Sequence, residues 1–135
     1  MKKMVFGVLL VLLSMDAQAL RPSVEIIERF DDFRIVAFID EADLADYPVW
    51  DPMQGEVPLS IGGAIQAVRA KHNHMHLQNS IVREIELREI AGRRNYWHYL
   101  IVTRDASRDD AQDEVYVVLM NGKVIPAIIE PESVK

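Results

Sequence analysis

The chain has 135 residues and a formal net charge of −6, with 15 basic against 21 acidic side chains, and it contains no cysteine. The excess of carboxylates repels phosphate groups, which argues against nucleic-acid binding and against docking on anionic lipid by bulk charge. Without cysteine there is no disulfide, no thiolate metal site and no lipid attached through a thiol.

The first 19 residues have the three parts of a secretory signal peptide. Lys2 and Lys3 precede an apolar run over 5–15, and Ala17 and Ala19 form a small-x-small cleavage site. The run is shorter than the ~20 apolar residues needed to cross a bilayer core. We therefore predict cleavage after Ala19, export to the bacterial periplasm, and no membrane contact of the mature chain.

Residues 20–135 are long enough for a single globular domain with one hydrophobic core. The segment 33–39 is rich in β-branched and aromatic residues and predicts a strand. An acidic loop with proline and tryptophan follows at 40–59. Its apolar side chains favour an ordered loop over a freely solvated linker.

One amphipathic helix is predicted directly after this loop. Ser60 is typical of a helix N-cap, and the residues that follow place one apolar stripe along the helix. The stripe consists of Ile61, Ala64, Ile65 and Val68, at spacings of three and four.

The second half of the chain favours strands. Residues 81–89 predict a strand in which Ile81, Ile85 and Leu87 share one face, although their i, i+4 charge pairs leave a helix open. Residues 96–103 are apolar on both faces, which is typical of a central strand.

A hairpin is the clearest local pattern. Asn121-Gly122 separates two apolar runs within 115–129 and predicts a two-residue type I′ turn, with positive φ at both turn residues. Pro126 cannot donate to a strand ladder, so the last strand is expected at a sheet edge or beside a bulge.

These elements together predict an α+β domain, with one helix packed on a curved antiparallel meander of about four to five strands. The helix at 60–71 and the hairpin at 115–129 resemble PepSY-like and cystatin-like small periplasmic domains. The whole chain is similar to small exported bacterial proteins. The resemblance implies a binding, inhibitory or accessory module.

Three histidines form the candidate metal site. His72, His74 and His76 would project from one face of an extended segment and offer nitrogen ligands for Zn²⁺ or copper, with Met75 as a soft ligand for copper. The alternative interpretation is an exposed, unliganded tract after the helix. His98 is either a fourth ligand or a histidine buried in the sheet.

The candidate partner surface lies on the acidic loop. Trp50 is an aromatic residue in a loop rather than in an apolar strand, and Asp46 and Asp51 flank it. We assign no catalytic residue, because the sequence has no nucleophile elbow, no phosphate-binding glycine loop and no His-Glu-x-x-His motif.

The function expected from the sequence is a non-catalytic periplasmic binding or accessory module that contacts a protein or peptide. The alternatives are histidine-based binding of Zn²⁺ or copper, and a small enzyme with a pocket in its curved sheet. No cofactor other than such a metal is expected.

Overall fold

The computed structural model describes residues 23–71 and 79–131, which form one α-helix and seven β-strands. The predicted signal peptide at 1–19 and the three histidines of the candidate metal site lie outside the described residues. The elements in chain order are β1 (Ser23–Arg29), β2 (Phe33–Asp40), a 3₁₀ helix (Glu41–Leu44), α1 (Ile61–Lys71), β3 (Ser80–Glu89), β4 (Trp97–Asp105), β5 (Glu114–Leu119), β6 (Val124–Pro126) and β7 (Ile128–Pro131).

The strands form two antiparallel sheets. One is three-stranded with the order β1-β2-β7, and the other is four-stranded with the order β3-β4-β5-β6. The chain leaves the four-stranded sheet after Pro126, the last residue of β6, where the Ala127 N–H still donates to the Val115 carbonyl of β5 at 2.9 Å. It enters the three-stranded sheet at Ile128, so one proline marks the crossing between the two sheets.

The four-stranded sheet is the middle of three layers. Its strand β4 is buried on both faces from His98 to Thr103. On one side the Tyr99 hydroxyl donates to the carbonyl of Leu59, directly before α1. On the other side His98 Nε2 lies 3.5 Å from Glu28 Oε1 in β1. The helix therefore covers one face of this sheet, and the three-stranded sheet covers the other.

Within residues 23–71 and 79–131 the prediction of an α+β fold with one helix is confirmed, whereas the strand count and the packing differ from the prediction. Seven strands in two sheets replace a single meander of four to five. The unpredicted strand β1 pairs with β2 around the turn at Asp31 and Asp32. It was missed because charged residues interrupt its apolar pattern, as is common in an edge strand.

The helix start is confirmed. The backbone N–H of Gly63 donates to Ser60 Oγ at 3.0 Å, which satisfies one of the donors at the helix N-terminus that have no partner within the helix. Of the predicted apolar stripe, Ala64 and Val68 are buried, while Ile61 at the first turn is 54% exposed.

Residues 80–89 form a strand and not a helix, and a β-bulge changes its pattern. The register shifts between Val82 and Glu84, so Val82 is opposite Thr103, whereas Ile85 is opposite Ile101. Because the bulge inserts one residue, Val82 takes the place predicted for Ile81 on the face shared with Ile85.

The hairpin at β5 and β6 is confirmed, but its turn differs from the predicted type. The Gly122 N–H donates to the Leu119 carbonyl, and the Leu119 N–H donates to the Lys123 carbonyl. Gly122 has φ +88°, whereas Asn121 is not among the residues with positive φ. The loop therefore has three residues and a left-handed glycine, the arrangement of a G1 bulge.

Candidate functional site

The three-stranded sheet has a covered face and a bare face. Ile26, Ile35 and Ala37 point toward the four-stranded sheet and are buried. The alternate side chains point outward, and among them Ile27 is 50% exposed and Phe38 is 54% exposed. The outward face is therefore apolar but has no layer packed on it among residues 23–71 and 79–131.

The outward apolar side chains are neighbours. Ile27 of β1 is opposite Val36 of β2, and Val36 is opposite Ile128 of β7, so the three form one row across the sheet. Phe38 lies two residues along β2 from Val36, on the same face. We call Ile27, Val36, Phe38 and Ile128 the apolar face.

Charged side chains lie on both sides of the apolar row. Toward one end, Glu25 is opposite Phe38. Toward the other end, Arg29 is opposite Arg34, and Arg34 Nε donates to Glu130 Oε2 at 2.6 Å. The face is therefore polarised along its strands, from an acidic end through an apolar centre to a basic end.

Such a face has the composition of a contact surface. Leaving apolar side chains in water forfeits about 25 cal/mol for each Å² that could be buried. Scattered exposed residues need no explanation, but a contiguous apolar patch with a polar rim marks an interaction site. The arrangement of this face therefore favours binding another surface.

A charged cluster joins the two sheets beneath this face. Arg88 of β3 lies with its Nη1 2.5 Å from Glu28 Oε2 and donates through Nε to Glu86 Oε2 at 2.5 Å. Burial alone would raise the pKa of Glu28, but the neighbouring His98 ring and the hydrogen-bonded Arg88 guanidinium outweigh burial and hold that pKa below its usual value. Glu28 is therefore ionised at neutral pH and acts as an electrostatic link between the layers.

A cleft of about 490 Å³ lies between the β1–β2 turn and β3. The Phe30 ring stacks on Phe33 with centroids 4.7 Å apart, and the Arg88 guanidinium lies 5.4 Å from the Phe30 centroid. A hydrogen bond with Glu86 raises the pKa of Glu84, and the same contact lowers that of Glu86. Arg88 and Glu86 are thus paired within the protein at this cleft, and their charges stabilise the fold.

The predicted partner residues of the acidic loop lie on the helix side of the molecule. Trp50 is half-buried, meets the Trp97 ring edge-to-face with centroids 5.7 Å apart, and donates through Nε1 to the Gly55 carbonyl. Asp51 accepts a hydrogen bond from its own turn, and Asp46 is exposed with φ +53°. Their role in contacting a partner stays a prediction.

The metal prediction is not tested, because His72, His74 and His76 lie outside the described residues. His98 is fully buried, and its Nε2 faces Glu28 from the interior of the sheet stack. Within the described ranges no three His, Cys, Asp or Glu side chains are placed to hold a metal ion.

No protein family, curated protein or solved structure matches this chain. Within the described residues no helix is long and apolar enough to cross a membrane. Sequence reasoning missed the apolar face, although a signal was present. Ile26 and Ile27 are adjacent, as are Ile35 and Val36, so apolar residues occur on both faces of their strands.

Proposed function

We propose that this protein is a non-catalytic binding or accessory module that contacts a protein through the apolar face. The observation that carries the proposal is the continuous row Ile27–Val36–Ile128, which crosses all three strands and is exposed at both ends. Export to the periplasm and kinship with PepSY-like domains remain part of the proposal, since they depend on the sequence alone.

The chemistry of the face defines its partner. The centre requires an apolar surface on the partner, because a charged group buried against it would lose its hydration and find no polar group to pair with. Glu25 at one end requires a basic group, and Arg29 at the other end requires an acidic group. A partner with an apolar centre between charges of opposite sign therefore fits.

Binding is favoured over catalysis because of the side chains on this face. Ile27, Phe38 and Ile128 are each about half exposed and supply contact area, whereas Val36 between them is only 7% exposed. Glu25 and the arginines supply charge. None of these groups is a nucleophile held beside a base, which is the arrangement that covalent catalysis needs.

Photo-crosslinking of the full chain, exported in a bacterial host, tests the proposal. A benzophenone amino acid replaces Ile27 in one variant and Ile128 in a second. The matched control carries it at Met53, which is 91% exposed but lies on the acidic loop away from the apolar face. We expect discrete adducts from the two positions on the face and none from Met53.

Equal labelling at Met53, or no adduct at either position of the face, would contradict the proposed contact surface. Turnover by the purified chain in a panel of hydrolase substrates would contradict the non-catalytic assignment. Adduct mass also matters, because it separates a second copy of the chain from a different protein.

A further inference from the structure

We propose that the apolar face pairs with the same face of a second copy of this chain, across a two-fold axis that crosses the strands along the row Ile27–Val36–Ile128. The inference rests on the proposed function, because it names the partner of the same surface. It also adds a geometry that can be tested residue by residue.

The first support is that the apolar row is central and the charges lie beside it. Glu25 and Phe38 lie two positions from the row along their strands in one direction. Arg29 and Arg34 lie two positions from it in the opposite direction. Neither Glu25 nor Arg29 has an ion pair within residues 23–71 and 79–131. The two charges are therefore available to a partner.

The second support is self-complementarity, which an isologous interface requires. A rotation of 180° about an axis along the apolar row places the row of the second copy over the row of the first. The residues on one side of the row then lie over the residues from the other side in the second copy. Glu25 then lies over Arg29 of the second copy, and Phe38 lies over Arg34 of the second copy. Both contacts occur twice, the first as an ion pair and the second as a cation–π contact.

A second face-to-face arrangement, with the two-fold axis parallel to the strands, pairs opposite charges less well. An axis parallel to β2 would place Arg29 over Glu130 of the second copy, but Glu130 already pairs with Arg34 of its own copy. The same axis would place Arg34 over Arg34 of the second copy. It would also leave Glu25 without a basic group opposite, because β7 starts at Ile128 and does not extend to that end. Like charges set against each other disfavour a docking geometry, so the axis across the strands is preferred.

The size of the face predicts a weak association. Three strands at ~4.8 Å spacing and about five residues at ~3.4 Å each give a footprint of about 14 by 17 Å. The contact ends there, because Asp40 would face the turn residues Asp31 and Asp32 of the second copy. Standard stable interfaces are larger, so we expect a dissociation constant in the micromolar to millimolar range.

Sedimentation equilibrium of the purified chain, from about 10 μM to about 1 mM, measures this association directly. We expect the wild-type weight-average mass to rise toward that of a dimer. Ile27→Asp places a charge in the apolar row and is expected to weaken association at least tenfold. Met53→Asp adds the same charge on the acidic loop, and we expect no change in association.

A charge exchange tests the axis itself. Glu25→Arg sets two arginines against each other in both copies, and Arg29→Glu sets two carboxylates against each other. We expect each single variant to weaken association about fivefold to tenfold. The double variant Glu25→Arg/Arg29→Glu restores opposite charges at both contacts, so we expect it to recover most of the wild-type association.

A wild-type chain that stays monomeric at about 1 mM would overturn the inference, as would association that survives Ile27→Asp. Failure of the double variant to recover, with circular dichroism showing that it is folded, would overturn the proposed axis. If the chain is monomeric but crosslinks through Ile27 to a different protein, this inference fails while the proposed function stands.

Discussion

The two faces of the three-stranded sheet are built from similar residues but have different surroundings. Ile35 points inward and is fully buried, whereas Ile27 points outward and is half exposed. Both belong to short apolar runs on paired strands. The local sequence therefore favours strands with apolar side chains on both faces. One face becomes part of the core only because a second sheet packs on it. An uncovered face of core-like composition is where a protein can accept a partner without unfolding.

The largest expected effect is the difference in stability loss between a substitution on the covered face and one on the bare face. Ile35→Ala would leave a cavity between the sheets, and we expect it to lower the free energy of unfolding by about 2–5 kcal/mol. Ile27→Ala is the matched control on the bare face, with an expected change of about 0.5 kcal/mol or less. Urea denaturation of dilute protein measures both. Equal losses would show that the outer face is already covered in the monomer.

The next effect concerns the loop on the helix side, which shares in covering the four-stranded sheet. The Tyr47 hydroxyl donates to the Trp97 carbonyl at 2.5 Å and accepts from the Met120 N–H at 2.8 Å. Tyr47→Phe leaves the two backbone groups without this partner, and we expect a loss of about 1–3 kcal/mol. Tyr96→Phe, on the ring stacked against Tyr47, is the control and should cost less.

This variant also has an expected pH dependence. Burial raises the pKa of Tyr47 from 10.0 to about 12, despite the Met120 N–H, which lowers it. The folded chain holds the Tyr47 proton more tightly than the unfolded chain does. The protonated hydroxyl therefore stabilises the fold fully below pH 10, and this stabilisation is lost as the pH rises to 12. The difference in stability between wild type and Tyr47→Phe should therefore narrow between pH 10 and 12. A constant difference across that range would contradict it.

The smallest effect tests the helix itself. Ser60→Ala removes the oxygen that accepts from the Gly63 N–H, with an expected loss of about 0.5–2 kcal/mol. Ser60→Asp keeps an acceptor at the same position and should retain most of the stability. Since α1 packs on the four-stranded sheet, both variants should leave the association of the apolar face unchanged. A weakened association would show that the two sides of the molecule are coupled.

Much of the local structure was predictable. Ser60 and the apolar spacing after it predicted α1, and the runs around Asn121 and Gly122 predicted the β5–β6 hairpin. Each of these patterns involves residues close in sequence, whose hydrogen bonds and turn conformations depend on a few side chains. The turn type was wrong because the register of β5 and β6 placed a third residue, Met120, in the loop.

The candidate site was not predictable in the same way. The residues favoured from the sequence were Trp50, Asp46 and Asp51, and two of these hold the conformation of their own loop. The apolar face instead combines β1 and β2 with β7, whose residues come nearly a hundred positions later in the chain. No local pattern shows which residues will lie beside each other over such a separation.

The sequence by itself determined the acidic charge, the absence of cysteine, the capped helix and most of the strands, because these depend on composition and on neighbouring residues. Only the tertiary structure decided that the strands divide into two sheets and that β7 completes the outer one. Burial depends on which elements pack together, and that follows from contacts between distant parts of the chain. For this reason Ile35 became core, while Ile27, with the same side chain, became part of a binding surface in the function proposed here.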